Sequence, residues 1–191
     1  MIKNDIPVLK AELKRVRIIA AHAGTGKSTL AKKFPERFVD FVCMPYKYHL
    51  PEQFDENDNE SCKASPEHEL NFDYPDNYYD AIISEFNKHN KTLIVPPDWR
   101  LLMLFNSKDI PYILCYPENT EEAKNVYRER YINRGNSEHF LEIFIDGWEN
   151  FMEFFETDRF GHKIVLKPQQ YLTDVLDEIV KLTGVSEDDG C

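Results

Sequence analysis

Residues 17–30 read Arg-Ile-Ile-Ala-Ala-His-Ala-Gly-Thr-Gly-Lys-Ser-Thr-Leu, and this stretch decides how the rest of the chain is read. The short apolar run from Val16 to Ala21 has the length and composition of a strand covered on both faces. It passes into a turn containing Gly24 and Gly26, and then into a segment that opens a helix. Two glycines at that spacing let the backbone curl with its N–H groups facing one point. The positive dipole end of the following helix adds to them, and a phosphate group is the natural occupant. Lys27 is placed to reach outer phosphates, and the Ser28 hydroxyl to hold a magnesium ion.

Outward from this stretch, apolar strands alternate with amphipathic helices. Strands are expected at Val16–Ala21, Arg37–Cys43, Lys91–Val95, Pro111–Tyr116 and His162–Leu166. Helices are expected at Ser28–Phe34, Asp76–Asn90, Pro97–Ser107, Thr120–Asn133, Glu138–Glu156 and Tyr171–Leu182. Thr120 and Ser137 have the chemistry of helix N-caps, and Gly184 that of a helix stop. Met1–Lys14 reads as a lead-in with one short apolar face. Strand–helix alternation implies crossover connections and an α/β fold of three layers, with a five-stranded, mostly parallel sheet between helices.

Residues 44–77 break the alternation. Four prolines (Pro45, Pro51, Pro66, Pro75), scattered aromatics and the acidic run Asp55–Glu60 mark an insertion with little regular structure. A loop of that length is uncommon unless it has a function. Ligands of parallel α/β sheets bind beyond the carboxyl ends of the strands. Asp40, Asp98 and Tyr116 are therefore expected to converge near the glycine turn.

The 191 residues suit one domain. There are 23 Lys and Arg against 34 Asp and Glu, a formal charge of −11. That balance argues against a nucleic-acid polymer or an anionic membrane as the main partner, since both want a basic face. It leaves room for a small anionic ligand held by a local positive site. No run approaches the ~20 apolar residues of a membrane span, and no signal-peptide core is visible at the N-terminus. Four cysteines without CxxC pairing suit reduced thiols, so a cytoplasmic protein is expected. The sequence is compatible with a monomer or a homodimer.

The turn resembles the P-loop of the nucleoside monophosphate kinase group. That group shows a small residue, a spacer and then Gly-[Ser/Thr]-Gly-Lys-[Ser/Thr]-Thr, which Ala21, Ala23, Gly24, Thr25, Gly26, Lys27, Ser28 and Thr29 match. The first glycine of the general P-loop pattern is Ala21 here, a mild change because that position asks for smallness. The order of elements is also similar: five strands, a substrate-side insertion after the second, and an arginine-bearing lid before the last, here within 118–137. The segment from Tyr127 to Asn136 and the Met44–Tyr48 stretch further resemble uncharacterised nucleotide-kinase-like proteins of bacteria and phages.

The resemblance implies a P-loop NTPase fold, ATP and Mg²⁺ as cofactors, and phosphoryl transfer to a small-molecule acceptor, a nucleoside monophosphate or nucleoside. Ala23, Gly24, Thr25, Gly26, Lys27, Ser28 and Thr29 would bind the nucleotide. Lys27 with Arg128, Arg130 and Arg134 would supply positive charge to the transferred group, since phosphoryl transfer needs positioning and charge more than covalent chemistry. Asp40, with Asp98 as the second candidate, would hold Mg²⁺ with Ser28, and Asp40 could instead act as base. Tyr46, Lys47 and Arg100 are the acceptor-side candidates: a stacking ring and two cations. Two departures stand out. The region after Asp40 has no Asp-x-Asp pair and no nearby arginine, and Thr92–Val95 runs into Pro96-Pro97 before reaching Asp98. Without an aspartate directly at that strand end, a nucleotide-binding switch with slow hydrolysis, signalling to a protein partner, is the alternative.

Overall fold

The structure, a computed structural model, describes residues 16–49 and 69–184. The lead-in segment, the acidic run Asp55–Glu60 and the C-terminal tail fall outside these residues. Strands β1 (Ile18–Ala21), β2 (Phe38–Asp40), β5 (Thr92–Val95), β6 (Ile113–Pro117) and β7 (His162–Leu166) form one sheet in the order β2-β5-β1-β6-β7. Every pairing in it is parallel, with Ala20 opposite both Val95 and Leu114. The fold is therefore α/β, and the sheet is wholly parallel.

Alternation along the strands sorts the core into two layers. Ile18, Ala20, Leu93, Val95, Leu114 and Tyr116 face one way, while Ile19, Ala21, Ile94, Ile113 and Cys115 face the other. On the second face lie helix α1 (Lys27–Lys33), through Leu30, and the C-terminal helix α8 (Leu176–Thr183), through Ile179. The first face carries α3 (Asp76–Lys88), α4 (Trp99–Ser107), α5 (Glu121–Asn133) and α7 (Trp148–Thr157). All four β1 residues are fully buried, as a strand covered on both sides requires. The chain leaves β1 toward one edge and later returns to β1's other side, which opens a crevice at the carboxyl ends of the central strands.

Three segments differ from the sequence-based expectation. The insertion carries a short helix, α2 (Met44–Lys47), and an antiparallel ladder of β3 (Tyr48–His49) with β4 (Glu69–Leu70). The helix expected over Glu138–Glu156 is split into α6 (Glu138–Leu141), a π-helical turn (Glu142–Asp146) and α7. The wider turn brings Phe144 and Trp148 both against His22. The last helix opens with a 3₁₀ turn, Leu172–Val175. The expected caps are in place: Thr120 Oγ1 accepts from the Ala123 amide, Ser137 Oγ from the Phe140 amide, and Gly184 ends α8 in the left-handed region. Among the described residues no helix is long and apolar enough to cross a membrane.

Candidate functional site

The turn between β1 and α1 curls through two left-handed glycines, Gly24 at φ 78° and Gly26 at φ 90°. A side chain at either would be strained, and at Gly24 its Cβ would fall 2.8 Å from the Tyr131 ring. The destinations of the backbone polar groups here are informative, because buried N–H and C=O groups rarely stay unpaired. Every carbonyl from Ala21 to Gly26 has a donor. Lys27 Nζ donates to the oxygens of Ala21 and His22, 3.1 Å each, and Thr25 Oγ1 also donates to His22 O at 2.7 Å. Tyr131 Oη donates to Ala23 O at 2.9 Å, and Arg130 Nη1 to Gly24 O at 3.3 Å. The Leu172 amide donates to Thr25 O, and the Leu30 amide to Gly26 O, both at 2.9 Å. The amides behave in the opposite way: from residue 23 to residue 29, none finds an acceptor among the described residues. The turn presents donors on one side and hides acceptors on the other, which suits an anion rich in oxygen.

Lys27 is half-buried. Burial pushes its ammonium pKa down, Asp40 opposes that, and Arg134 adds to it. The ammonium is thus parked on neutral carbonyls rather than on a carboxylate. Ser28 Oγ donates to Asp40 Oδ2 at 2.5 Å, so the hydroxyl and the carboxylate at the end of β2 meet at the mouth of the turn. These two hard oxygen donors have the chemistry to hold a magnesium ion. Asp98 is engaged elsewhere: its Oδ1 accepts from the Arg100 amide at 3.0 Å, capping α4.

The acceptor-side candidates gather around that same aspartate. Lys47 Nζ lies 3.1 Å from Asp98 Oδ2, and Arg100 Nε lies 3.6 Å from Oδ1. Both cations also stand over the Tyr74 ring, Arg100 at 4.9 Å and Lys47 at 5.5 Å from its centre. Tyr46 packs in a group of rings with Phe41 and Tyr78, 5.8 and 5.1 Å between centroids. Cys43 feels the charges of both Lys47 and Lys27, and its thiol pKa is pushed up to about 11, chiefly by burial.

The three arginines expected on the lid go to three different places. Arg128 is exposed. Arg134 is exposed at the end of α5, yet its charge is felt at Lys27. Arg130 points inward, donating to Pro168 O at 2.9 Å, Gln170 O at 3.2 Å and the Gly24 carbonyl, with its guanidinium between the rings of Tyr127 and Tyr171. Helix α5 itself is packed onto the turn through Tyr127 and Tyr131, both fully buried.

Sequence reasoning missed this rear wall. Tyr127 and Tyr131 are four apart on a charged helix, and that apolar stripe was the available signal. The setting of His22 likewise leaves no mark in the local sequence. Its ring is enclosed by Tyr127, Phe144, Trp148, Phe151 and Phe155, with centroids 5.5–6.2 Å away. Burial foremost, and Lys27 next, bring its pKa down to about 3, so it is neutral. Compared with known proteins, the chain matches no family model and no curated protein.

Proposed function

We propose that this protein is a P-loop phosphotransferase that takes a magnesium-bound nucleoside triphosphate, ATP, and passes its terminal phosphoryl group to a small acceptor, a nucleoside monophosphate or nucleoside. The observation that carries this reading is the division of labour in residues 21–29: all carbonyls taken from Ala21 to Gly26, and the amides of residues 23–29 without an acceptor among the described residues. In this reading the amides of residues 23–29 bind the phosphate tail. Lys27 leaves the Ala21 and His22 carbonyls to meet the outer phosphates, which is favourable because a charged partner replaces neutral ones. Ser28 and Asp40 hold Mg²⁺, whose chemistry is to neutralise charge on the phosphate oxygens. Arg134, near Lys27, stabilises charge on the transferred group. A phosphate acceptor needs no base, whereas a hydroxyl acceptor would give up its proton to a carboxylate such as Asp40.

A second reading, a slow nucleotide-hydrolysing switch, draws support from Asp98. It already neutralises Lys47 and Arg100, so no unpaired cation of that pair awaits an acceptor phosphate. Incubation with Mg–ATP and a panel of nucleosides and nucleoside monophosphates separates the two. Acceptor-dependent ADP release is expected for the phosphotransferase. Slow ADP release indifferent to every acceptor would establish the switch, and no heat on titration with any purine triphosphate would overturn both.

A further inference from the structure

We propose that Tyr131 is a positioning residue of the phosphate loop and that Arg130 acts beside it as a carbonyl clamp rather than as a mobile catalytic charge. The inference rests on the nucleotide-binding reading above and concerns what sets the loop's shape. A peptide unit carries its C=O and the next residue's N–H on opposite edges of one plane. Fixing one edge therefore fixes the other. Tyr131 Oη draws the Ala23 carbonyl to the rear, which aims the Gly24 amide forward. Arg130 Nη1 draws the Gly24 carbonyl to the rear, which aims the Thr25 amide forward. A flip of either peptide would replace a donor by a carbonyl oxygen facing the phosphate.

Both residues are built for holding. Tyr131 is fully buried, and its ring fills the space that a Cβ at residue 24 would need. Its ring packs edge-on against Tyr127 and Phe140, so the hydroxyl cannot wander. Arg130 is held by three carbonyls on two segments, the loop itself and the stretch after β7, and by two aromatic faces. A planar guanidinium with five donors can span these directions, whereas a lysine ammonium on one stem cannot.

Titration calorimetry on the whole chain, with Mg–ATP and separately with inorganic tripolyphosphate, tests this. Tyr131→Phe keeps the ring and removes one hydrogen bond, leaving the Ala23 carbonyl unheld. The expected loss is about tenfold in affinity, equal for ATP and for tripolyphosphate because the base plays no part. Melting of the ligand-free variant, which a merely structural role would shift without selective loss of phosphate affinity, is measured alongside. Unchanged affinity for tripolyphosphate in Tyr131→Phe would overturn the proposal, while a wild-type chain that binds neither ligand would overturn the nucleotide reading instead. Arg130→Lys and Arg130→Gln provide the second arm and do not depend on Tyr131 folding well. The clamp predicts that the two lose tripolyphosphate affinity alike, within about twofold. Rescue by lysine would show that charge alone matters, and would sink the clamp.

Discussion

The two halves of the candidate site keep their positive charge in different ways. On the side of the glycine turn, Lys27 rests on two neutral carbonyls, and the amides of residues 23–29 have no acceptor among the described residues. On the far side, Lys47 and Arg100 converge on the single carboxylate of Asp98. In the proposed reading, the first arrangement would be completed by an anion. The second is already neutralised, and an anion entering it must compete with Asp98. A protein with a formal charge of −11 thus holds one cation on neutral carbonyls and two against a carboxylate.

The largest expected effect concerns the rigidity of the first half. His22 is neutral inside its aromatic cage, with a pKa of about 3 against 6.5 when unfolded. Between those values the unfolded chain binds a proton that the folded chain refuses. Stability is therefore full above about pH 6.5 and falls as the pH drops toward 3. The difference amounts to on the order of 4 kcal/mol at the acid end. Phenylalanine keeps an aromatic ring there without titrating, and the His22 carbonyl that holds Lys27 belongs to the backbone. Urea unfolding of His22→Phe between pH 7 and pH 4 should be flatter than that of the wild type. Superimposable profiles would mean that the ring is not held neutral, and that the loop is less firmly backed than its packing indicates.

Next in size is the contrast between the two lysines. Lys27→Ala removes the one side-chain cation lying within the loop and should weaken Mg–ATP binding by about a hundredfold, or about 2.7 kcal/mol. Lys47→Ala, made in parallel, should leave triphosphate affinity within about threefold, since its partner is Asp98. Equal losses in both would erase the distinction between the halves.

Much of this contrast could be read before any coordinates. The glycine spacing marks a tight turn between a strand and a helix, because local backbone demands leave a local signature. The strands and helices followed from periodicity, and the capping residues marked α5 and α6 correctly. What stayed hidden depends on contacts distant in sequence. Nothing around residue 131 says that its hydroxyl meets the carbonyl of residue 23, and Lys47 gives no sign that its partner is 51 positions away. The π-helical turn is hidden for the same reason, since its local sequence reads as continuous helix while its Phe144 packs against His22, far away in the chain. Arg128, Arg130 and Arg134 share one helix but not one environment, which spacing alone does not resolve.

The smallest expected effect bears on the second half. Asp98 has two tasks, capping α4 with Oδ1 and neutralising Lys47 and Arg100. Asparagine is as good an N-cap as aspartate, so Asp98→Asn removes the charge and spares the cap. The cost in stability should be about 1 kcal/mol, because the carboxylate is mostly buried while Lys47 stays partly in water. Asp98→Ala loses the cap as well and should cost about 1 kcal/mol more. The informative reading is anion binding. With its carboxylate gone, the Lys47–Arg100 pair should gain a few-fold in affinity for a nucleoside monophosphate, while Mg–ATP affinity at Lys27 stays put. If Asp98→Asn instead weakens monophosphate binding, the carboxylate is itself an acceptor contact, such as a partner for a sugar or base donor. The second half of the site would then be tuned for a neutral group rather than held in reserve for a charged one.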